Sequence, residues 1–121
     1  MSLRARKINR LVFIVFVAAA AYALAKALLP DDDSSGLIPW DKAKHFIVFY
    51  VLSILASLAL PQSRLHRIGL VILAFGGAIE ILQAFVGRDA SWFDLLADAC
   101  GISAAFGPML VSQWWRKTAR F

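Results

Sequence analysis

The sequence predicts an all-α membrane protein, a four-transmembrane-helix antiparallel bundle with both termini in the cytoplasm. Three observations lead there. Four apolar runs, at 11–29, 43–60, 67–86 and 92–115, approach the roughly 20 residues that an α-helix needs to cross a bilayer. Cations and acids separate onto opposite sides of those runs. The tryptophans fall at the run ends, with Trp40 and Trp92 on one side and Trp114 and Trp115 on the other, as interfacial aromatic belts do. A composition that is 60% hydrophobic, with mean hydropathy +0.69, exceeds the roughly half-apolar norm of soluble domains. The 121 residues leave little chain outside the runs, so 1–121 reads as one domain. A β-barrel would need alternating runs of about 10 residues, and these are absent.

The net charge of +5 reads as topology. Arg4, Arg6, Lys7 and Arg10 precede the first run. Arg64 and Arg67 lie between the second and third, and Arg116, Lys117 and Arg120 follow the fourth. No acid accompanies them. The other side holds Lys26, Lys42, Lys44 and Arg88 among all eight acids: Asp31, Asp32, Asp33, Asp41, Glu80, Asp89, Asp94 and Asp98. The positive-inside rule then places both termini in the cytoplasm. Nucleic-acid binding calls for a basic patch on a recognisable module, which is missing. The expected partner is the lipid bilayer, with no nucleic acid.

Each element can be justified in order. The first run follows basic residues and contains the small-residue stretch 21–25, Ala-Tyr-Ala-Leu-Ala. That also describes a signal peptide with an A-x-A site. Its length favours a retained span, and cleavage would leave three. Pro30 cannot continue a helix, and Asp31-Asp32-Asp33-Ser34-Ser35-Gly36 suits a solvated turn. Those Asp residues lack the ligand spacing and Gly placement of an EF-hand. Asp41 is placed to N-cap the second span, which Pro61 and Gln62 close. A link of a few residues makes the second and third spans antiparallel neighbours. Gly87-Arg88-Asp89-Ala90 forms an equally tight turn into the fourth. Ser91-Trp92-Phe93-Asp94 has the capping-box form. Gly69, Gly76, Gly77, Gly101 and Gly107 are small positions where membrane helices approach closely. Cys100, the single cysteine, reads as a small apolar packing residue.

Carboxylates inside a membrane are expensive and mark a site by default. Glu80 lies nine residues before Asp89 and Asp98 nine after it. At about 1.5 Å per residue, both sit roughly 10 Å below the turn. Glu80 and Gln83 share one helical face, as do Asp94 and Asp98, and Asp41 and His45. Three helices thus project polar groups into one outer-leaflet cavity, with Arg88 long enough to fold over its mouth. Glu80 and Asp98 at equal depth cannot both stay ionised without a cation between them. The available cations are His45, Lys42, Arg88 or a bound metal. A His among carboxylates suits proton transfer. One His with carboxylates can ligate a divalent ion, but the paired-His motif of a zinc hydrolase is missing, and no cofactor is called for. Duller roles exist: Asp41 and Asp94 as caps, Lys26, Lys42 and Lys44 as snorkelling residues, and Gln83 as an interhelical bridge. Capping cannot explain Glu80 and Asp98, although a structural hydrogen bond between those two would.

The ordered set Asp41-Lys42-x-x-His45-Phe46, Glu80-x-x-Gln83 and Arg88-x-x-Ser91-x-x-Asp94-x-x-x-Asp98-x-x-Gly101 resembles the VanZ-like family of small bacterial membrane proteins. The match covers roughly 40–107. The family often has Asn where this chain has Asp98, which favours Glu80 as the essential acid and residue 98 as its hydrogen-bond partner. The family's namesake is associated with resistance to the glycopeptide antibiotic teicoplanin, so the resemblance implies a multi-pass protein of the bacterial cytoplasmic (inner) membrane with a cell-envelope connection.

The leading expectation is an outer-leaflet pocket that recognises an envelope lipid or a peptidoglycan-precursor headgroup. Lys42 and Arg88 would bind phosphate or carboxylate, with Asp41, Gln83 and Ser91 as further ligand contacts. Glu80, His45, Asp94 and Asp98 would orient the ligand or move protons. An enzyme would use His45 or Glu80 as general base; there is no G-x-S-x-G turn and no reactive Cys setting. The alternatives are a proton-coupled transporter or flippase component, with Ser53, Ser57 and Ser103 continuing the polar path inward, and a structural scaffold subunit.

Overall fold

The computed structural model describes residues 2–29, 41–87 and 91–119, with Asp41 described by its backbone alone. The Asp-rich segment 31–33, Trp40, the Asp41 side chain, Arg88, Asp89 and Arg120 lie outside the described residues. Among those described, the chain is all-helical: α1 Leu3–Leu28, α2 Asp41–Ala59, α3 Leu65–Phe85 and α4 Trp92–Thr118. All four are long and apolar enough to cross a membrane.

The helices overrun the apolar runs where local chemistry allows. α1 starts at Leu3 because Ser2 caps it, its Oγ accepting the Ala5 N–H at 3.1 Å. The basic residues 4–10 therefore continue the helix. α2 stops before Pro61, as a residue preceding proline is driven out of helical geometry. Gly87, at φ +78°, supplies the left-handed turn beyond α3. α4 runs through Pro108, and Arg116 and Lys117 in its last turn complement the negative end of the dipole.

α2 packs most extensively on α4. α1 lies against α2 and α3 and, among the described residues, does not touch α4. The core is drawn from α2, α3 and α4: Phe49, Ala56, Ile68, Ile72, Ile79, Ile102, Ala105 and Phe106. α1 buries no residue fully and only rests Phe16, Leu24 and Ala27 on that core. Val71, Phe85, Leu96 and Val111 point outward, the apolar belt expected of a lipid-facing surface.

Between spans in lipid there is little hydrophobic drive, so packing rests on close backbone approach. Gly101 provides it: a Cβ there would fall 2.4 Å from the Phe46 carbonyl oxygen and 3.1 Å from the Tyr50 nitrogen. Gly77 and Gly107, also read as close-approach positions, have nothing within 4 Å of a Cβ. Hydrogen bonds made by side chains, to one another or to backbone, place the end of α1, the start of α2, the end of α3 and the start of α4 together, so the helices alternate in direction. Glu80, Asp94 and Asp98 occupy that end. Arg4, Arg6, Lys7, Arg10, Arg64, Arg67, Arg116 and Lys117 occupy the other.

Candidate functional site

Three helices build one polar group. α2 contributes Lys42 and His45, which lie on adjacent turns of one face. α4 contributes Asp94 and Asp98, four residues apart, and α3 contributes Glu80. Lys42 Nζ is ion-paired with Asp94 Oδ1. The His45 ring lies between the two aspartates, with Nδ1 2.8 Å from Asp98 Oδ1 and Nε2 3.7 Å from Asp94 Oδ2. The first is a hydrogen bond; the second is too long for one. Asp98 is 1% exposed and Asp94 3%, whereas Lys42, His45 and Glu80 are partly exposed. Any approaching molecule therefore meets those three first.

Glu80 Oε2 accepts the backbone N–H of Ser91 at 3.0 Å, while its Oε1 is buried with no hydrogen-bond partner among the described residues. The expected depth match holds: His45, Glu80 and Asp98 each offer a ligand atom, all within 4.8 Å of one another. Those three could share a divalent cation. Glu80 is hydrogen-bonded to the start of α4, a structural role different from the Glu80–Asp98 bond that the sequence left as an alternative.

The capping box forms only by half. Ser91 Oγ accepts the Phe93 N–H at 3.2 Å, but Asp94 does not return the bond to Ser91. Its carboxylate is taken by Lys42 from α2, and Glu80 takes the Ser91 N–H instead. A cation close at hand in a low-dielectric setting outcompetes a neutral amide for a carboxylate. Lys42, read as a phosphate ligand or a snorkelling residue, is committed to Asp94. Gln83 bridges helices, donating from Nε2 to the Ala27 carbonyl at 3.0 Å. Asp41, as a side chain, and Arg88 lie outside the described residues.

Two residues essential to the geometry escaped the sequence reading. Gly76 was read as a generic small position, yet a Cβ there would lie 2.6 Å from Asp98 Oδ2 and 3.1 Å from the Phe49 ring. Gly76 therefore leaves room for the Asp98 carboxylate. Phe49, one turn below His45 on α2, is 2% exposed and forms the floor; the i, i+4 spacing from His45 was the available signal. Below it Ile68, Ile72 and Ile102 continue an apolar core. Of the serines expected to extend a polar path, Ser53 is fully buried, its Oγ without a partner among the described residues. Ser57 bonds back to the Ile54 carbonyl, and Ser103 faces outward. Cys100 is exposed rather than packed inside, because the face of α4 that turns to α2 and α3 is set by Asp94, Asp98 and Gly101. Comparison of the chain with protein-family models, with curated proteins and with solved structures gives no match.

Proposed function

We propose that this is a VanZ-like protein of the bacterial inner membrane, with both termini cytoplasmic, whose polar group binds the headgroup of an envelope lipid or peptidoglycan precursor in the outer leaflet. One observation carries the reading: His45, Glu80 and Asp98 arrive from three different helices and meet within 4.8 Å. Ionisable groups at membrane depth are costly, and packing three helices together does not require so many of them. Glu80 Oε1 keeps an acceptor available for a hydroxyl or amine of the headgroup. An anionic part of the ligand would compete with Asp94 for Lys42, so binding proceeds by exchange of partners. His45, between Asp98 and Asp94, is placed to carry a proton between them and the ligand; if chemistry follows, His45 or Glu80 is its general base. On this reading a link to glycopeptide resistance would run through the precursor.

A transport reading draws support from Ser53, buried and unpartnered two turns inward of His45. The Phe49 ring and the isoleucines beneath it argue for a site closed on that side.

The test is native mass spectrometry of the purified chain with extracted envelope lipids and a peptidoglycan-precursor lipid. Glu80→Gln keeps an acceptor for Ser91 but removes the charge, and should weaken retention about tenfold or more while helicity is kept. If Glu80→Gln and Asp98→Asn both fold and retain ligand as wild type does, the group is a helix lock and the proposal fails.

A further inference from the structure

At the end of the bundle opposite His45, two clefts flank Leu60 at the close of α2. The larger, about 550 Å³, lies between the α2–α3 connection and the last turns of α4. Gln62, Ser63, Arg64, His66, Gln113 and Lys117 line it over an apolar base of Leu60 and Leu110. The smaller, about 370 Å³, lies between α1 and the end of α2 and carries Arg6, Asn9 and Arg10. The positive-inside rule accounts for the side on which these cations sit. It does not account for their lining concavities assembled from all four helices.

The charge in the larger cleft is not offset from within. Among the described residues neither cleft has a carboxylate side chain in its lining, and Glu80, Asp94 and Asp98 lie at the opposite end. α3 also begins here, with Arg64 at the N-cap making no side-chain cap bond and no acid in the first turn. The positive end of its dipole therefore adds to Arg64 and Lys117. Arg64 presents a planar fork suited to phosphate oxygens, and Ser63, Gln62 and Gln113 offer neutral donors beside it. The apolar base continues into outward-facing Leu110, Val111 and Trp114, a surface that acyl chains can cover.

We propose that the larger cleft binds the phosphate of an anionic phospholipid headgroup, with its acyl chains lying along α4. A basic pocket between helices at a membrane face is the setting in which such headgroups are held. The apolar continuation distinguishes a lipid from a free phosphate.

The experiment uses the full chain in detergent, with bound lipid counted by native mass spectrometry. Wild type should retain phosphatidylglycerol in preference to phosphatidylcholine. The double variant Arg64→Gln/Lys117→Gln should lose that preference about tenfold. Arg4→Gln/Lys7→Gln, which removes the same charge away from both clefts, should lose less than about twofold. Equal losses in the two pairs, or none in the cleft pair, overturn the site. Glycerol phosphate, the headgroup anion without chains, should leave wild-type retention unchanged; displacement by it overturns the lipid assignment. If the double variant does not insert, Arg64→Gln alone carries the same comparison.

Discussion

Adding one methyl group at Gly76 and, separately, at Gly77 tests the packing of the acidic site with a built-in control. A Cβ at Gly76 would sit 2.6 Å from Asp98 Oδ2, where ordinary contact begins at 3.4 Å, so carboxylate and helix must part by about 0.8 Å. Asp98 cannot yield cheaply. Its side chain is short, 1% exposed and bonded to His45 at 2.8 Å, and a displacement of that size along the bond carries it beyond hydrogen-bonding range. Phe49, also touched at 3.1 Å, is itself in the core. Overpacking of this kind costs about 1–3 kcal/mol. Gly77→Ala meets nothing within 4 Å and gains helix propensity of up to about 1 kcal/mol. The propensity gain is common to both variants, so their difference isolates the steric cost at about 1–3 kcal/mol. Thermal unfolding in detergent, followed by helical circular dichroism, should rank Gly77→Ala at or above wild type and Gly76→Ala below it. Gly101→Ala should fall lowest, since its obstacle at 2.4 Å is backbone. Finding Gly76→Ala as stable as Gly77→Ala would refute the claim that Asp98 is wedged against α3.

Further consequences concern single contacts. Lys42→Met should cost about 1–3 kcal/mol in the wild type, less than a fully buried pair because Lys42 is partly exposed, and under about 1 kcal/mol when Asp94→Asn is already present; an additive double-mutant cycle would remove the ion pair from the account. Gln83→Leu should loosen the end of α1 by about 1 kcal/mol, seen as faster amide exchange near Ala27 with unchanged protection in α4; equal protection throughout would count against the bridge. Cys100 should react with a lipid-soluble maleimide faster than the thiol of Ile102→Cys in a Cys100→Ala background, a position at similar depth but buried; equal rates would place Cys100 inside the bundle.

How much of this was legible in the sequence depends on whether the cause was local. Run lengths, Pro61 and Gly87 act on their own segment, and apart from the start of α1, which runs back from 11 to Leu3, the helices begin and end close to where those residues predict. The common depth of Glu80 and Asp98 was also legible, because a tight hairpin turns sequence distance from Asp89 into height. The capping role weighed for Asp94 does not form because the capping-box pattern sees three residues, while its actual partner, Lys42, lies 52 positions away on α2. Gly76 looked like any small residue until the side chain opposite it was known. The orientation of Cys100 followed from which face of α4 the aspartates claimed, and that is a property of the packed bundle. The basic clefts were similarly hidden, since a list of cations does not reveal which of them share a concavity.

The bond from Glu80 to the Ser91 amide joins the ligand-facing acid to the first turn of the last helix. Moving that carboxylate would release the Ser91 amide, so a shift of Glu80 on α3 is felt directly at the N-cap of α4.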